Sequence, residues 1–253
     1  MAHIEVNSFI NQIVTSIEPF YKLPRVLEIG SYDVNGSVRS NFQHVSEYIG
    51  VDLIPGPSVD VVTTGHLYHS DIKFDIVMSI ESFEHNAYWV DTFNNMIKLA
   101  DDDGIVIFTC ATQGRLEHGT YRTDVFSSPG TSSKDNSYYL NLSAQDFNKA
   151  FPLKDIFVSY DFYVNTLTKD LYFYGLKSNR KLKSEDIANF FKKAVKVSSR
   201  IRKKSSIFNY LSVKLFYFIL LPFYSLLSED KYQKLMYLPY KKIRKLAAHF
   251  HRR

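Results

Sequence analysis

The feature that most constrains this chain is a short apolar run, repeated along the sequence and closed each time by a glycine, a carboxylate or a small polar residue. Arg25-Val-Leu-Glu-Ile-Gly30, Tyr48-Ile-Gly-Val-Asp52, Phe74-Asp-Ile-Val-Met-Ser-Ile80 and Ile105-Val-Ile-Phe-Thr-Cys110 are the clear cases, and 59–62 is a weaker one. Runs that are apolar on both faces suit strands of a parallel sheet buried under helices, rather than a sheet with one wet side. Between them, Asn35-Gly36-Ser37 offers turn residues and a helix N-cap. Residues 88–100 carry Val90, Phe93, Met96, Ile97 and Ala100 on one helical face, and 143–150 reads as a further short helix. The runs 153–163 and 166–176, around Asn165, predict an antiparallel hairpin at one sheet edge. Strands alternating with helices imply an α/β fold with a doubly wound, mostly parallel sheet. The first 22 residues, with Glu5 and Glu18 and no cationic start before an unbroken apolar stretch, read as an amphipathic helix and not as a signal peptide.

Charge divides the chain unevenly. Of its 253 residues, those from Arg180 onward hold 19 Lys/Arg against 4 Asp/Glu, net +15, whereas the preceding part holds 12 against 22, net −10. An acidic body of 1–178 and a basic extension of 179–253 are the expected units, the second meeting an anionic partner. The single cysteine, Cys110, excludes an internal disulfide framework and fits a reducing, cytoplasmic setting.

Ligands of doubly wound sheets bind beyond the carboxyl ends of the strands. Glu28, Gly30, Asp52, Glu81 and Cys110 fall there. Gly30 permits close backbone approach, a following helix N-terminus would supply N–H donors for a ligand carboxylate, and Asp52 is placed to accept both hydroxyls of a ribose. Individually each has a plain reading, as a turn glycine or a helix-capping aspartate.

Taken in order, these segments resemble the class I S-adenosylmethionine-dependent methyltransferase family. Val26-Leu-Glu-Ile-Gly30 is similar to its first motif, and Tyr48-Ile-Gly-Val-Asp52 to the segment ending at the ribose-binding acid. Phe74-Asp-Ile-Val, Ser82-Phe-Glu-His85 and Asp103-Gly-Ile-Val-Ile-Phe are similar to its fourth and fifth strand segments. The resemblance covers 24–176 and implies a seven-stranded Rossmann-like sheet and S-adenosyl-L-methionine as cofactor. It assigns Glu28, Gly30, Ser31, Asp52, Leu53, Gly65, His66 and Glu81 to cofactor binding. Ser31 and Tyr32 stand where a second motif glycine is usual, which disfavours a nicotinamide cradle. No acid follows the third strand, in Thr63-Thr-Gly-His-Leu-Tyr-His69, and no Asn/Asp-Pro-Pro-aromatic segment follows the fourth, which disfavours base amino groups as acceptors. The run Gly114-Arg-Leu-Glu-His-Gly-Thr120 with Tyr138-Tyr-Leu-Asn-Leu142 resembles a bacterial branch associated with surface-polysaccharide genes.

Methyl transfer from a sulfonium needs alignment of acceptor and methyl carbon, and a hydroxyl acceptor must also lose a proton. His118, after the fifth strand, is the first candidate base, with Glu117 to orient it and Arg115 to hold an anionic part of the acceptor. His85 is the second. The plainer reading is that His118 caps a loop and His85 packs beside the cofactor. Residues 121–141, with Arg122, Ser127, Pro129, Lys134, Tyr138 and Tyr139, form a long segment suited to covering a sugar acceptor, or else a variable surface loop. No metal is expected.

In the extension, 180–204 interleaves Ile187, Phe190, Phe191, Ala194, Val195 and Val197 with lysines and arginines. The 21 residues 207–227 include 16 apolar or aromatic ones, interrupted by Asn209, Ser212, Lys214, Pro222 and Ser225. The length permits a span, but an internal charge, a proline and basic flanks fit helices lying in the interface of an anionic membrane. A glycan-assembly protein or a second copy of the chain is the other occupant such helices suit. A long apolar run argues against nucleic acid. The expectation is methyl transfer to a hydroxyl, or less readily a phosphate, of a surface glycan or lipid-linked glycan at the cytoplasmic membrane face. A small-molecule or quinone O-methyltransferase and an inactive cofactor-binding adaptor are the alternatives.

Overall fold

The computed structural model describes residues 3–133, 135–205 and 207–237. Helix α1 (Ile4–Ile17) places Val6, Phe9, Ile10, Ile13 and Ile17 on one buried stripe. Strands β1 (Arg25–Ile29), β2 (Glu47–Asp52), β3 (Val61–Val62) and β4 (Phe74–Ile80) precede helix α2 (Trp89–Leu99) and strand β5 (Ala100–Ala111). A small hairpin, β6 (Ser132–Ser133) and β7 (Asn136–Ser137), leads to α3 (Ala144–Ala150), α4 (Leu153–Ile156), β8 (Ser159–Asn165) and β9 (Asp170–Leu176). Helices α5 (Ser184–Ser205), α6 (Ile207–Leu226) and α7 (229–237) complete the chain. The α3 start carries a capping box, Ser143 and Asp146 bonding each other's backbone amides.

Seven strands form one sheet in the order β3-β2-β1-β4-β5-β9-β8. The first five run parallel, and β9 is antiparallel to both β5 and β8. This is the doubly wound, mostly parallel sheet with an antiparallel edge hairpin that the sequence predicts. Alternate residues of the central strands serve two cores. Val26, Ile76, Met78, Ile107, Tyr172 and Tyr174 face α1 and α5. Leu27, Val77, Val106, Phe108 and Phe173 face α2 and α3 across an aromatic core in which Phe108 stacks on Phe147 at 4.4 Å and on Phe173 at 4.8 Å.

Two sequence expectations are corrected. After Gly30 the chain forms no α-helix before β2, only a 3₁₀ turn at Arg39–Asn41. The Asn35-Gly36-Ser37 turn therefore starts no α-helix, Ser37 Oγ accepting only the Arg39 N–H of that 3₁₀ turn at 3.1 Å, because α1 and α5 already cover that face of the sheet. Residue 178 is also not a structural boundary. Leu182, Ile187, Phe191, Ala194 and Val195 belong to the α1 core, with Phe191 edge-on to Phe9 at 5.6 Å and 4.8 Å from Tyr174. The basic segment thus contributes a core helix, and its surface portion begins with α6. Tyr232, Leu220 and Met236 form a small cluster with Leu116, docking α6 and α7 beside the β5 terminus. Among the described residues no helix is long and apolar enough to cross a membrane. The basic residues of 241–253 lie outside the described residues, as does Lys134.

Candidate active site

The strand ends build a cleft of about 1040 Å³, its open mouth included. Gly30 closes β1 at φ +83°, its N–H donating to the Val51 carbonyl at 2.8 Å. A Cβ there would lie 2.3 Å from Ser82 Oγ, so glycine alone fits. The turn carries Tyr32 across the end of β2, where its N–H donates to Asp52 Oδ2 at 3.0 Å while Leu53 N–H donates to Oδ1 at 2.7 Å. Burial pushes the Asp52 carboxyl upward, against the downward pull of these amides. Gly65 follows β3, where an added Cβ would stand 2.4 Å from Ile29 Cγ2, and His66 stacks on Tyr88 at 4.4 Å. The 127–131 segment roofs the cleft: a Cβ on Gly130 would be 3.3 Å from Leu53 Cβ and 3.7 Å from Asp52 Oδ1.

Beyond β4, Glu81 adopts φ +52° with its N–H donating to the Thr109 carbonyl at 2.8 Å. The chain then enters a 3₁₀ turn, Phe83–His85, that is buried throughout. Burial, then the neighbouring Glu81 charge, push the Glu84 carboxyl up to about 8. Burial pulls the His85 imidazole down to about 3, and burial followed by the Arg115 charge pulls His118 well down. The two histidine rings meet edge-on at 5.1 Å, and Tyr139 lies 5.4 Å from His85 and 5.2 Å from His118. His118 Nδ1 contacts the Leu116 carbonyl at 3.1 Å, and Nε2 is 4.0 Å from Glu84 Oε1.

Beneath Glu81 lies an ionic network. His3 bonds Asp170 at 2.7 Å and Glu5 at 2.9 Å, and Arg115 stands 3.6 Å from Asp170. Burial alone would lower His3, but the Asp170 and Glu5 carboxylates outweigh it and raise it to about 9. Burial likewise opposes the ionised Asp170, and Arg115 and His3 outweigh it, holding that carboxyl low.

Of the residues singled out in the sequence, Gly30, Asp52, Leu53, Gly65, His66, Glu81, His85 and Tyr138 line the cleft. Others lie elsewhere. Glu28 points to the opposite sheet face, where it accepts the Tyr48 hydroxyl at 2.5 Å and burial raises it to about 7. Ser31 is buried against Gly50, whose Cβ position is 2.7 Å from its Oγ. Arg115 donates to the Thr168 carbonyl at 2.5 Å. Glu117 does not orient His118: its carboxylate pairs with Arg122 and accepts the Thr120 hydroxyl at 2.6 Å, while its N–H donates to Gln233 of α7 at 2.8 Å. Arg115, Glu117 and Arg122 therefore tie the turn to the sheet and the C-terminal helices, and His118 and Tyr139 sit behind His85. Tyr32, Ser82, Tyr88, Ser128, Thr131 and Asn136 line the cleft as well. The first three directly follow strand or turn signals, and Ser128, Thr131 and Asn136 belong to the 121–141 segment that the sequence marks as suited to covering an acceptor, though no local pattern singles them out within it.

No protein-family model matches the chain, and no curated protein sequence does. Among solved structures it is similar to the N-methyltransferase NodS from Bradyrhizobium japonicum WM9 in complex with S-adenosyl-L-homocysteine, at 12% identity over 70% of this chain and 88% of that one, TM-score 0.46. It is also similar to an S-adenosylmethionine-dependent methyltransferase from Clostridium acetobutylicum ATCC 824, at 11% identity over 68% and 92%, TM-score 0.46. A third is YcgJ from Bacillus subtilis, at 13% identity over 66% and 98%, TM-score 0.45. At such identities the likeness concerns the fold.

Proposed function

We propose that the chain is an S-adenosylmethionine-dependent methyltransferase acting on a hydroxyl of a surface glycan or lipid-linked glycan at the cytoplasmic membrane face. The observation that carries the reading is Asp52, whose carboxylate is fixed by two backbone amides at the end of β2 and borders the cleft beside the Gly30 turn. The residues present fit the cofactor. The Asp52 carboxylate, already oriented, has lone pairs left for a vicinal diol; Gly30 and Gly65 leave room that a Cβ would fill; and Leu53, His66 and Tyr88 offer flat or apolar surface for a purine. S-adenosylmethionine, when bound, supplies an electrophilic methyl group on sulfur. The chain's part is then alignment and exclusion of water. The 127–131 roof closes over Asp52, and Ser128, Asn136 and Tyr138 present hydroxyl, amide and ring surface at the mouth, a combination suited to a sugar. His85 borders the acceptor end, so a proton leaving a hydroxyl there departs past its ring rather than through His118, which does not line the cleft.

Attachment is argued from α6, which leaves Ile207, Leu211, Leu215, Phe218, Ile219 and Leu226 exposed, all six more than half so and Phe218 at 71%. An acidic body of net −10 is repelled by an anionic surface, and the +15 of the remainder reverses this. Each basic residue near such a surface contributes ~1 kcal/mol.

Calorimetry with S-adenosylhomocysteine tests the cofactor site. Binding to the full chain, weakened roughly 10- to 100-fold in Asp52→Ala by loss of a charged hydrogen-bond acceptor, supports it, and no binding overturns it. Surface glycans from a deletion strain should lack one methyl mass increment. Cofactor binding without turnover on any cell-envelope extract would favour a recruiting adaptor instead. Sedimentation with anionic vesicles, lost on replacing Leu215, Phe218 and Ile219 by serine, tests the attachment.

A further inference from the structure

Behind the cleft, the buried Glu84 and His85 and the half-buried His118 gather donor atoms, several of which the protein leaves without partners. Both carboxylate oxygens of Glu84 and Nδ1 of His85 lack a hydrogen-bond partner, although Glu84 is fully buried and His85 is 7% exposed. A sealed carboxylate bonded at neither oxygen is costly and rare unless a ligand completes it. One donor atom from each of Glu84, His85 and His118 lies within 4.8 Å of the other two. With His118 Nδ1 engaged by the Leu116 carbonyl at 3.1 Å, Nε2 is the nitrogen that faces Glu84, and a backbone carbonyl on the outer nitrogen is the usual support of a ligand histidine.

The His3, Glu81 and Asp170 donors are equally close together, yet there both His3 nitrogens bond carboxylates and Arg115 adds a second cation. That network already sets two cations, His3 and Arg115, against its carboxylates, whereas neither oxygen of Glu84 accepts a hydrogen bond from any cation.

From this geometry we propose that Glu84, His85 and His118 bind one divalent transition-metal ion of the zinc, iron(II) or cobalt(II) type, with a coordination position open to the cleft that His85 borders. Two imidazoles and one carboxylate suit these ions, whereas magnesium and calcium favour oxygen donors alone. Bonds of about 2.0–2.1 Å require the donors to draw together. The turn that carries His118 has Gly114 at φ +90° and Gly119 at φ +62°, and a Cβ on Gly119 would lie 2.7 Å from His85 Cε1, so glycine keeps turn and ring in close approach. An oxygen ligand from the cleft, bound at the open position, would have its pKa lowered. On the function proposed above that ligand is the acceptor hydroxyl, but ion binding itself does not rest on that reading.

Metal-stripped full-length protein titrated with cobalt(II) should take up one equivalent, with visible d–d absorption and two exchangeable, paramagnetically shifted imidazole N–H resonances. Glu84→Gln and His118→Ala should each weaken uptake by roughly 100-fold or more with an unchanged circular dichroism spectrum, and His3→Ala should leave uptake intact. No uptake by the wild type, fewer than two imidazole resonances, or loss confined to His3→Ala overturns the assignment. If a variant fails to fold, the wild-type resonances decide alone. Cobalt uptake without S-adenosylhomocysteine binding would sink the methyltransferase reading and leave the metal site standing.

Discussion

Replacing Gly30 by alanine probes the turn on which the cleft depends. The residue sits at φ +83°, a conformation that costs an L-residue with a Cβ about 1–2 kcal/mol. The new methyl group would stand 2.3 Å from Ser82 Oγ and 2.4 Å from Ser82 Cβ, where carbon contacts favour about 3.5–4.0 Å. Overpacking of this kind adds about 1–3 kcal/mol. The sum is about 2–5 kcal/mol, less up to about 1 kcal/mol recovered because alanine narrows the unfolded ensemble. Urea unfolding followed by circular dichroism should register it as a lower midpoint at unchanged slope. Ser82→Gly removes both clashing atoms, so the double variant should regain the overpacking part and retain only the backbone strain. The mutant cycle should therefore show a favourable coupling of about 1–3 kcal/mol. A Gly30→Ala midpoint indistinguishable from wild type would refute the backbone conformation, and strict additivity would refute the Ser82 contact.

Further outcomes follow from other parts of the fold. Phe108→Ala should cost about 3–5 kcal/mol, because its ring is fully buried between Phe147 and Phe173; a loss under about 1 kcal/mol in chemical denaturation would contradict this packing. His3 is raised from 6.5 to about 9, so its ion pairs stabilise the fold fully below pH 6.5 and are lost as pH rises through 9. Unfolding curves across that window should show a decline that His3→Ala flattens, by a difference of up to about 3 kcal/mol, and parallel curves would refute it. A chain ending at residue 178 should aggregate on expression because it lacks the Phe191 face of the α1 core, whereas one ending at 205 should give a cooperative thermal transition; equal solubility of the two would show α5 to be dispensable.

The sheet was legible in the sequence because strands buried on both faces read as continuous apolar runs, and their terminal residues, Gly30, Asp52 and Glu81, fall at the cleft by topology alone. The missing helix after β1 was not. Asn35, Gly36 and Ser37 carry a local capping signal, while the decision was made by α1 and α5, distant in sequence, which occupy the sheet face such a helix would need. Arg115 and Glu117 follow β5 as active-site residues often do, yet the turns at Gly114 and Gly119 direct them to Thr168 and Arg122. Charge misplaced the domain boundary because it registers only the solvent face of α5. The Phe191 and Ala194 face packs inward, so the helix is basic outside and core inside. The roof residues 127–131 follow no periodicity, and only the folded chain brings Gly130 near Asp52.

The packing of Phe9 against Phe191 also bears on how the protein is made. Its first helix can find its seat only once Phe191, 182 residues beyond Phe9, has left the ribosome, so folding of the sheet waits for α5. The exposed apolar stripe on α6 is translated immediately afterwards. On the attachment proposed above, this order lets the sheet close before α6 can reach a lipid surface, whereas the reverse order would deliver unfinished polypeptide to it.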